Sequence, residues 1–368
     1  MTQTIMTALG PVRLLGDNAT RIWGMSNAER CRRMAESAAK NGSALAEGQE
    51  LLFNLSYAFD PMLLRLVLEE PGTVFAWGAV PIVGQVPAGS DPLSAPHVVD
   101  LSDGRKLYNR QLRKLEQPFV RELTPATRRG IERQSYFGAY KGVTDLLTKY
   151  LWPELALWLT RLAASIGMTP NMVTAIGATL CVLATWFFAQ GLYWTGMLAG
   201  FVFMVLDTVD GKLARCTITS SKWGNVIDHG VDLVHPPFWW YFWGTGLAYW
   251  GLQLSAGAFT FVMAAVIAGY VLQRLIEGLF LKDFKMDIHV WRPFDSWFRL
   301  ITARRNPNMV ILFVALLFGR PDIGLIALAW WTILSLVVHA VRLAQAYAVN
   351  RSGRPIVSWM DEAEGVRA

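Results

Sequence analysis

The chain has 368 residues, 53% of them hydrophobic, and a formal net charge of +6. A mean hydropathy of +0.30 argues against a soluble protein, and 16 Trp suit an aromatic belt at a membrane interface. Cys31, Cys181 and Cys216 lie far apart without a CxxC pair, which argues against a disulfide framework or a structural zinc site. The basic excess reads through membrane topology, and no nucleic-acid partner is expected. Met1–Gly10 has no basic n-region and no long apolar h-region, so no cleavable signal peptide is expected.

Residues 1–140 read as a polar α/β domain. Short apolar runs at 12–15, 51–55, 73–77 and 97–101 predict strands. Residues 26–40 predict a helix with Ser26 as cap and Glu29 three residues on, a capping box. A second helix is expected over 60–69, and 87–96 reads as a surface loop. Strand–helix alternation argues for an α/β layer. Residues 113–133 are charged and expected to be helical in part. Residues 145–165 mix Leu and Trp with Lys149 and Arg161, a composition suited to a helix lying in the interface.

Six apolar spans follow, at about 171–190, 193–213, 223–249, 256–281, 306–321 and 322–346, each near the ~20 residues that a bilayer core needs. The fifth is the shortest. The joins 212–222 (Lys212, Arg215, Lys222) and 282–305 (with Arg304 and Arg305) are basic. By the positive-inside rule they face the cytoplasm with both termini. The fold expected is an α-helical polytopic membrane protein over 141–368, with six transmembrane helices and an interfacial juxtamembrane helix. The α/β domain of 1–140 lies on the cytoplasmic side.

An acidic pattern sits at the ends of two spans: Asp207-x-x-Asp210-Gly211-x-x-Ala214-Arg215, then Gly224-x-x-x-Asp228-x-x-x-Asp232. One Asp at a helix centre costs ~2.5–3.5 kcal/mol on insertion scales, so four deep, unpaired, charged ones cost roughly 10. A shared cation removes most of that penalty. Spacings of three and four put each pair on one helix face, and oxygen-only ligands suit Mg²⁺ or Mn²⁺. Asp207, Asp210 and Asp228 are the expected ligands. Asp232 is the expected general base with a share in the metal, its pKa raised by like charge. Gly211 and Ala214 lie at i+4 and i+7 from Asp207. Small residues there leave the backbone of that face open, or allow close helix packing.

This pattern resembles the signature of the CDP-alcohol phosphotransferase family, D-x-x-D-G-x-x-A-R-x(8)-G-x-x-x-D-x-x-x-D, with CTITSSKW as the eight-residue spacer. Every fixed position matches, and the resemblance covers roughly 141–346. It implies transfer of a substituted phosphate from a CDP-alcohol, such as CDP-diacylglycerol, to a polar hydroxyl acceptor, with release of CMP. It also implies a homodimer. On the donor side it implies Asn171, Thr174, Asp210, Gly211, Ala214, Arg215 and Gly224. Arg274, inside the fourth span, pairs with Glu277 or marks an anionic substrate. With Arg304 and Arg305 it suits a phosphorylated acceptor of the inositol phosphate or glycerol phosphate type. His235, before Pro236-Pro237, reads first as a residue at a kink. The N-terminal domain has the texture of a nucleotidyltransferase-like fold. It lacks a Gly-rich loop followed by Lys or Arg, so it is expected to be non-catalytic. Two alternatives stay open: a cation transporter built on the four Asp, and a bifunctional enzyme with an active cytidylyltransferase domain.

Overall fold

A computed structural model describes residues 2–104, 106–109, 114–140, 142–220 and 222–360; the side chains of 108, 114, 116, 222, 223 and 225–229 fall outside the description. The strands in chain order are β1 (Thr2–Thr7), β2 (Gly10–Leu15), β3 (Arg21–Ile22), β4 (Met25–Ser26), β5 (Gln49–Asn54) and β6 (Tyr57–Phe59). Then come β7 (Thr73–Trp77), β8 (Val80–Pro87), β9 (His97–Asp100), β10 (Leu107–Asn109), β11 (Lys114–Glu116) and β12 (Val120–Glu122). Six of them form one mixed sheet in the order β1-β2-β5-β8-β7-β9. The pairs β2–β5 and β7–β9 are parallel and the other three antiparallel.

The continuous apolar run of β5 is explained by its place. Leu51, Leu52 and Phe53 are all fully buried, as a strand covered on both faces must be. Strand β8 was not expected from the sequence, because Pro81, Gly84 and Pro87 dilute its pattern. Gly84 is needed there: a Cβ would lie 2.6 Å from the Val74 side chain of the neighbouring strand. Helix α1 (Asn27–Lys40) starts where predicted, with the Ser26 hydroxyl accepting from the Glu29 amide at 3.2 Å. The Glu29 carboxylate itself pairs with Arg32 and Arg33. Helix α2 (Pro61–Glu69) is capped by Asp60.

The remaining helices are α3 (Arg128–Gly138), α4 (Leu146–Tyr150), α5 (Pro153–Ser165), α6 (Pro170–Ala189), α7 (Tyr193–Cys216), α8 (Lys222–Gly246), α9 (Ala256–Phe284), α10 (Pro293–Phe298), α11 (Arg305–Leu317) and α12 (Pro321–Arg351). The helix expected over 145–165 is two. Pro153 lacks the amide that would continue α4, and suits the first turn of α5. Trp152, at the break, is buried and donates to the Thr208 hydroxyl at 3.1 Å. On α5, Leu155, Trp158 and Leu162 recur at helical spacing and are exposed.

By length and apolar composition α6, α9 and α12 are long enough to cross a membrane. Helices α7, α8 and α11 occupy the other three predicted ranges. Helix α11 has 13 residues, which is about 20 Å of rise against a ~30 Å hydrocarbon core. Several Trp serve a core rather than a belt. Trp239, Trp240 and Trp243 are buried, and the indoles of Trp239 and Trp243 donate to the carbonyls of Cys181 and Pro321. Lys212 is not a loop charge. It lies inside α7, 2% exposed, over the ring of Tyr140.

The chain divides into two compact units. The first comprises 1–141, 157–170 and 211–221, and the second 142–156, 171–210 and 222–368. The boundaries fall inside α5 and α7. In the first unit Ile218 adopts φ +55, a conformation costly for a β-branched residue, and its side chain packs on the sheet's core.

Candidate active site

The acidic pattern becomes a site because of where α6, α7, α8 and α11 bring their ends in the second unit. Asp207 and Asp210 stand one turn apart on α7. Asp210 is 4% exposed, and its Oδ2 accepts the Thr174 hydroxyl of α6 at 2.6 Å. Arg305, the first residue of α11, spans the other two described carboxylates. Its Nη2 donates to Asp207 at 2.7 Å and its Nη1 to Asp232 at 2.6 Å. Its Nε donates to Asn306. Asn306 in turn donates to Thr148, and the Thr148 hydroxyl donates to Asp145. The Arg305 guanidinium also lies over the Phe203 ring. The guanidinium is therefore fixed from three sides, and its side chain is only 11% exposed while that of Asp232 is 44% exposed. The sequence counts only like charges around Asp232; the structure adds a cation.

Three carboxylates and one guanidinium leave a net charge of −2 among the described side chains. Donors that are all oxygen, with two negative charges in excess, fit a hard divalent cation. Asp228 is on α8, one turn before Asp232, and its side chain lies outside the described residues. Gly224 is also on α8 and half-buried. Asn171 is exposed in the first turn of α6.

Gly211 and Ala214 are on α7 as expected. A Cβ at Gly211 would first meet the Arg215 guanidinium, at 3.2 Å. Its small size therefore admits a polar side chain rather than another helix. Arg215 also lines a cavity of the first unit.

The expected acceptor residues divide. Arg305 belongs to the aspartates, whereas Arg274 and Arg304 converge on Glu277, at 2.8 and 2.5 Å. His289 and His339 approach the same carboxylate at 3.2 and 3.3 Å. Burial pushes the His289 imidazole well below its usual range, against the pull of Glu277. The His339 Nδ1 faces the Ser335 carbonyl at 2.7 Å. Glu277, His289 and His339 are a set by type and distance for a metal ion. Two guanidiniums already hold that carboxylate, so the trio fits an additional cation poorly.

Proline chemistry links the two clusters. Pro237 in α8 has no amide to give the Leu233 carbonyl, and the Tyr270 hydroxyl of α9 donates to it instead at 3.0 Å. Arg274 lies over that Tyr270 ring, and Leu233, whose carbonyl the Tyr270 hydroxyl reaches, directly follows Asp232. The adjacent residues Arg304 and Arg305 serve one cluster each. His235 bonds the Val231 carbonyl through Nδ1 and stacks edge-on with Phe203 and Trp239, a packing role.

Sequence reasoning missed Asn306, Thr148, Tyr270, His289 and His339. Only the missing amide of Pro237 is a signal that could have pointed to one of them.

The class defined by these features is a helical membrane protein whose apolar helices enclose a carboxylate-rich polar site. Residues 167–303 match the family model described as CDP-alcohol phosphatidyltransferase, and the chain carries a domain of that family. It is 29% identical over 140 residues to Cholinephosphotransferase 1 of Homo sapiens, covering 35% of this chain and 32% of that protein. It is 31% identical over 125 residues to Cholinephosphotransferase 1 of Gallus gallus, covering 32% and 36%. Against Archaetidylinositol phosphate synthase of Pyrococcus horikoshii it is 29% identical over 185 residues, covering 48% of this chain and 86% of the relative. The chain thus spans about a third of the length of the cholinephosphotransferases it matches. The family is membrane-embedded and its members are transferases acting on a CDP-alcohol and an alcohol acceptor.

Proposed function

We propose that this chain transfers the phosphatidyl group of CDP-diacylglycerol to a phosphorylated polar alcohol, of the inositol phosphate or glycerol phosphate type, releasing CMP. The observation that carries the reading is the Arg304-Arg305 pair, with Arg305 on Asp207 and Asp232 and Arg304 on Glu277 beside Arg274. It puts a carboxylate that can take a hydroxyl proton near guanidiniums that can take a phosphate. The relative covered over most of its length carries inositol phosphate in its printed name, which supports a phosphorylated acceptor.

Roles follow. Asp207, Asp210, Asp228 and Asp232 hold Mg²⁺ or Mn²⁺, which when bound neutralises the donor pyrophosphate as a Lewis acid. Thr174 holds Asp210 in place. Asn171, Gly211, Ala214, Arg215 and Gly224 serve the donor. Asp232, more exposed than Asp207 and Asp210, accepts the acceptor's proton. Arg274 and Arg304 bind the acceptor phosphate. An apolar cavity of about 660 Å³ between α6 and α8, walled by Val182, Trp186, Val234 and Phe238, suits an acyl chain and favours a lipid donor. Six crossings are proposed, with the site on the cytoplasmic side of the inner membrane of a bacterial-type cell by the positive-inside rule, as is a homodimer. The first unit is proposed to be non-catalytic.

The test is CMP release by purified protein given CDP-diacylglycerol, with inositol phosphate, glycerol phosphate, inositol or glycerol as acceptor and product mass spectrometry. The phosphorylated acceptors should be used, EDTA should stop the reaction, and Asp207→Asn should abolish it. Equal use of the neutral alcohols would remove the acceptor assignment. Activity untouched by EDTA would remove the metal.

A further inference from the structure

The first unit contains a cavity of about 620 Å³ that, apart from Arg215 on its wall, the transfer reading leaves unused. That volume is within the ~300–1,000 Å³ typical of small-molecule sites. Its walls come from α1, α2, the end of α3 and the segment closing α7, all within that unit. Five charged residues line it: Arg30, Arg65 and Arg215 against Asp60 and Glu69. Three positive charges against two negative leave an excess of one positive.

Arg30 is the informative member. It is 4% exposed, its Nη2 donates to the Phe59 carbonyl at 2.8 Å, and its Nη1 has no hydrogen-bond partner among the described residues. A buried, unsatisfied guanidinium nitrogen bears its full desolvation cost until an acceptor arrives. The guanidinium stands over the Phe59 ring, which orients it without supplying that acceptor. Asp60 has one oxygen committed to the Met62 amide as a helix cap. On the other side Met34, Leu64, Leu68 and Phe119 present an apolar surface to the same space.

We propose that this cavity binds a small phosphorylated organic molecule, its phosphate taken by Arg30 with Arg65, its organic body lying on the apolar wall. The guanidinium fork matches two phosphate oxygens at once. The proposal is independent of the transfer chemistry, and an inactive transfer site leaves it standing.

The experiment is hydrogen–deuterium exchange of the full chain in detergent, with CMP, glycerol 3-phosphate or inorganic phosphate as probe. Peptides covering 34–43 and 61–69 report this cavity; peptides covering 171–176 and 205–210 report the second unit separately. At about 100 times Kd, amides whose opening releases the ligand should exchange roughly 100-fold more slowly. At least one organic phosphate should give that slowing at 34–43 and 61–69. Arg65→Gln should raise its Kd roughly tenfold, the loss of one charge-assisted hydrogen bond. Ala38→Trp, which fills the space, should abolish the slowing. Arg65→Gln alone decides if Ala38→Trp does not fold. No slowing with any probe, or the same slowing in folded Arg65→Gln, overturns the site. Equal slowing by inorganic phosphate overturns the role of the organic body.

Discussion

Arg305→Gln is the most informative single change. The guanidinium makes charge-assisted bonds to Asp207 at 2.7 Å and Asp232 at 2.6 Å, with a side chain only 11% exposed. Gln keeps much of the length and loses the charge. Two carboxylates lose their cation, while Asp210, one turn from Asp207, remains close. Breaking a buried pair by removing one partner costs about 3–5 kcal/mol. Asp232 is 44% exposed, so solvent screening brings its share down and places the total near the lower end of that range. A divalent ion on the same carboxylates restores positive charge where Arg305 took it away. Added Mg²⁺ should therefore raise the melting temperature of Arg305→Gln more than that of the wild type. The assay is thermal unfolding in detergent, each protein with EDTA and with a Mg²⁺ series, beside CMP release. Arg305→Lys should recover part of the stability, since an ammonium can reach one carboxylate well but cannot span two with a planar fork. Equal Mg²⁺ shifts in wild type and Arg305→Gln would refute the idea that guanidinium and metal share these carboxylates.

Glu277→Gln should free Arg274 and Arg304 from their common anchor, raising the acceptor KM while the donor KM stays unchanged; a donor KM that rises in step would make Glu277 part of the general fold of the site. Gly246→Ala should cost about 1–3 kcal/mol as overpacking, because a Cβ would stand 2.1 Å from the Phe188 carbonyl oxygen. Gly211→Ala first meets the guanidinium end of the Arg215 side chain, at 3.2 Å rather than 2.1 Å, so it should melt close to wild type and show its effect in the donor KM; a wild-type melting temperature for Gly246→Ala would remove the contrast.

The parts legible in the sequence are those with local causes. Ser26 caps α1 because its hydroxyl is three residues from the amide it receives, and the 51–55 run is a strand because both faces are covered. Asp207 and Asp210 could be paired on paper because helix geometry alone puts them one turn apart. The rest depends on which helices meet. Nothing near Arg305 in the sequence says that it will face residues 98 and 73 positions away. The triplet Arg274, Arg304 and Arg305 reads as one basic group, and the tertiary structure sends its members to two clusters. Lys212 reads as a loop charge because the apolar run ends before it, yet the helix continues and Tyr136 and Tyr140 receive it.

The division of labour between Arg304 and Arg305 follows from backbone geometry. Arg304 is the N-cap of α11 and has extended dihedrals, φ −127 and ψ 172, whereas Arg305 is already helical. Neighbouring side chains on either side of such a change leave the backbone in different directions, so two adjacent cations reach two separate acidic centres. A shift of the α11 start by one residue would turn both guanidiniums at once. The two clusters are thereby coupled through one peptide unit, in addition to the contact of Arg274 with Tyr270 and of Tyr270 with the Leu233 carbonyl. A change in how Glu277 holds Arg304 therefore has a short covalent path to the guanidinium on Asp207 and Asp232. In the proposed reaction Glu277 orients Arg274 and Arg304 for the anionic acceptor, and through Arg304 and its neighbour Arg305 acceptor occupancy would reach the carboxylate proposed to take its proton.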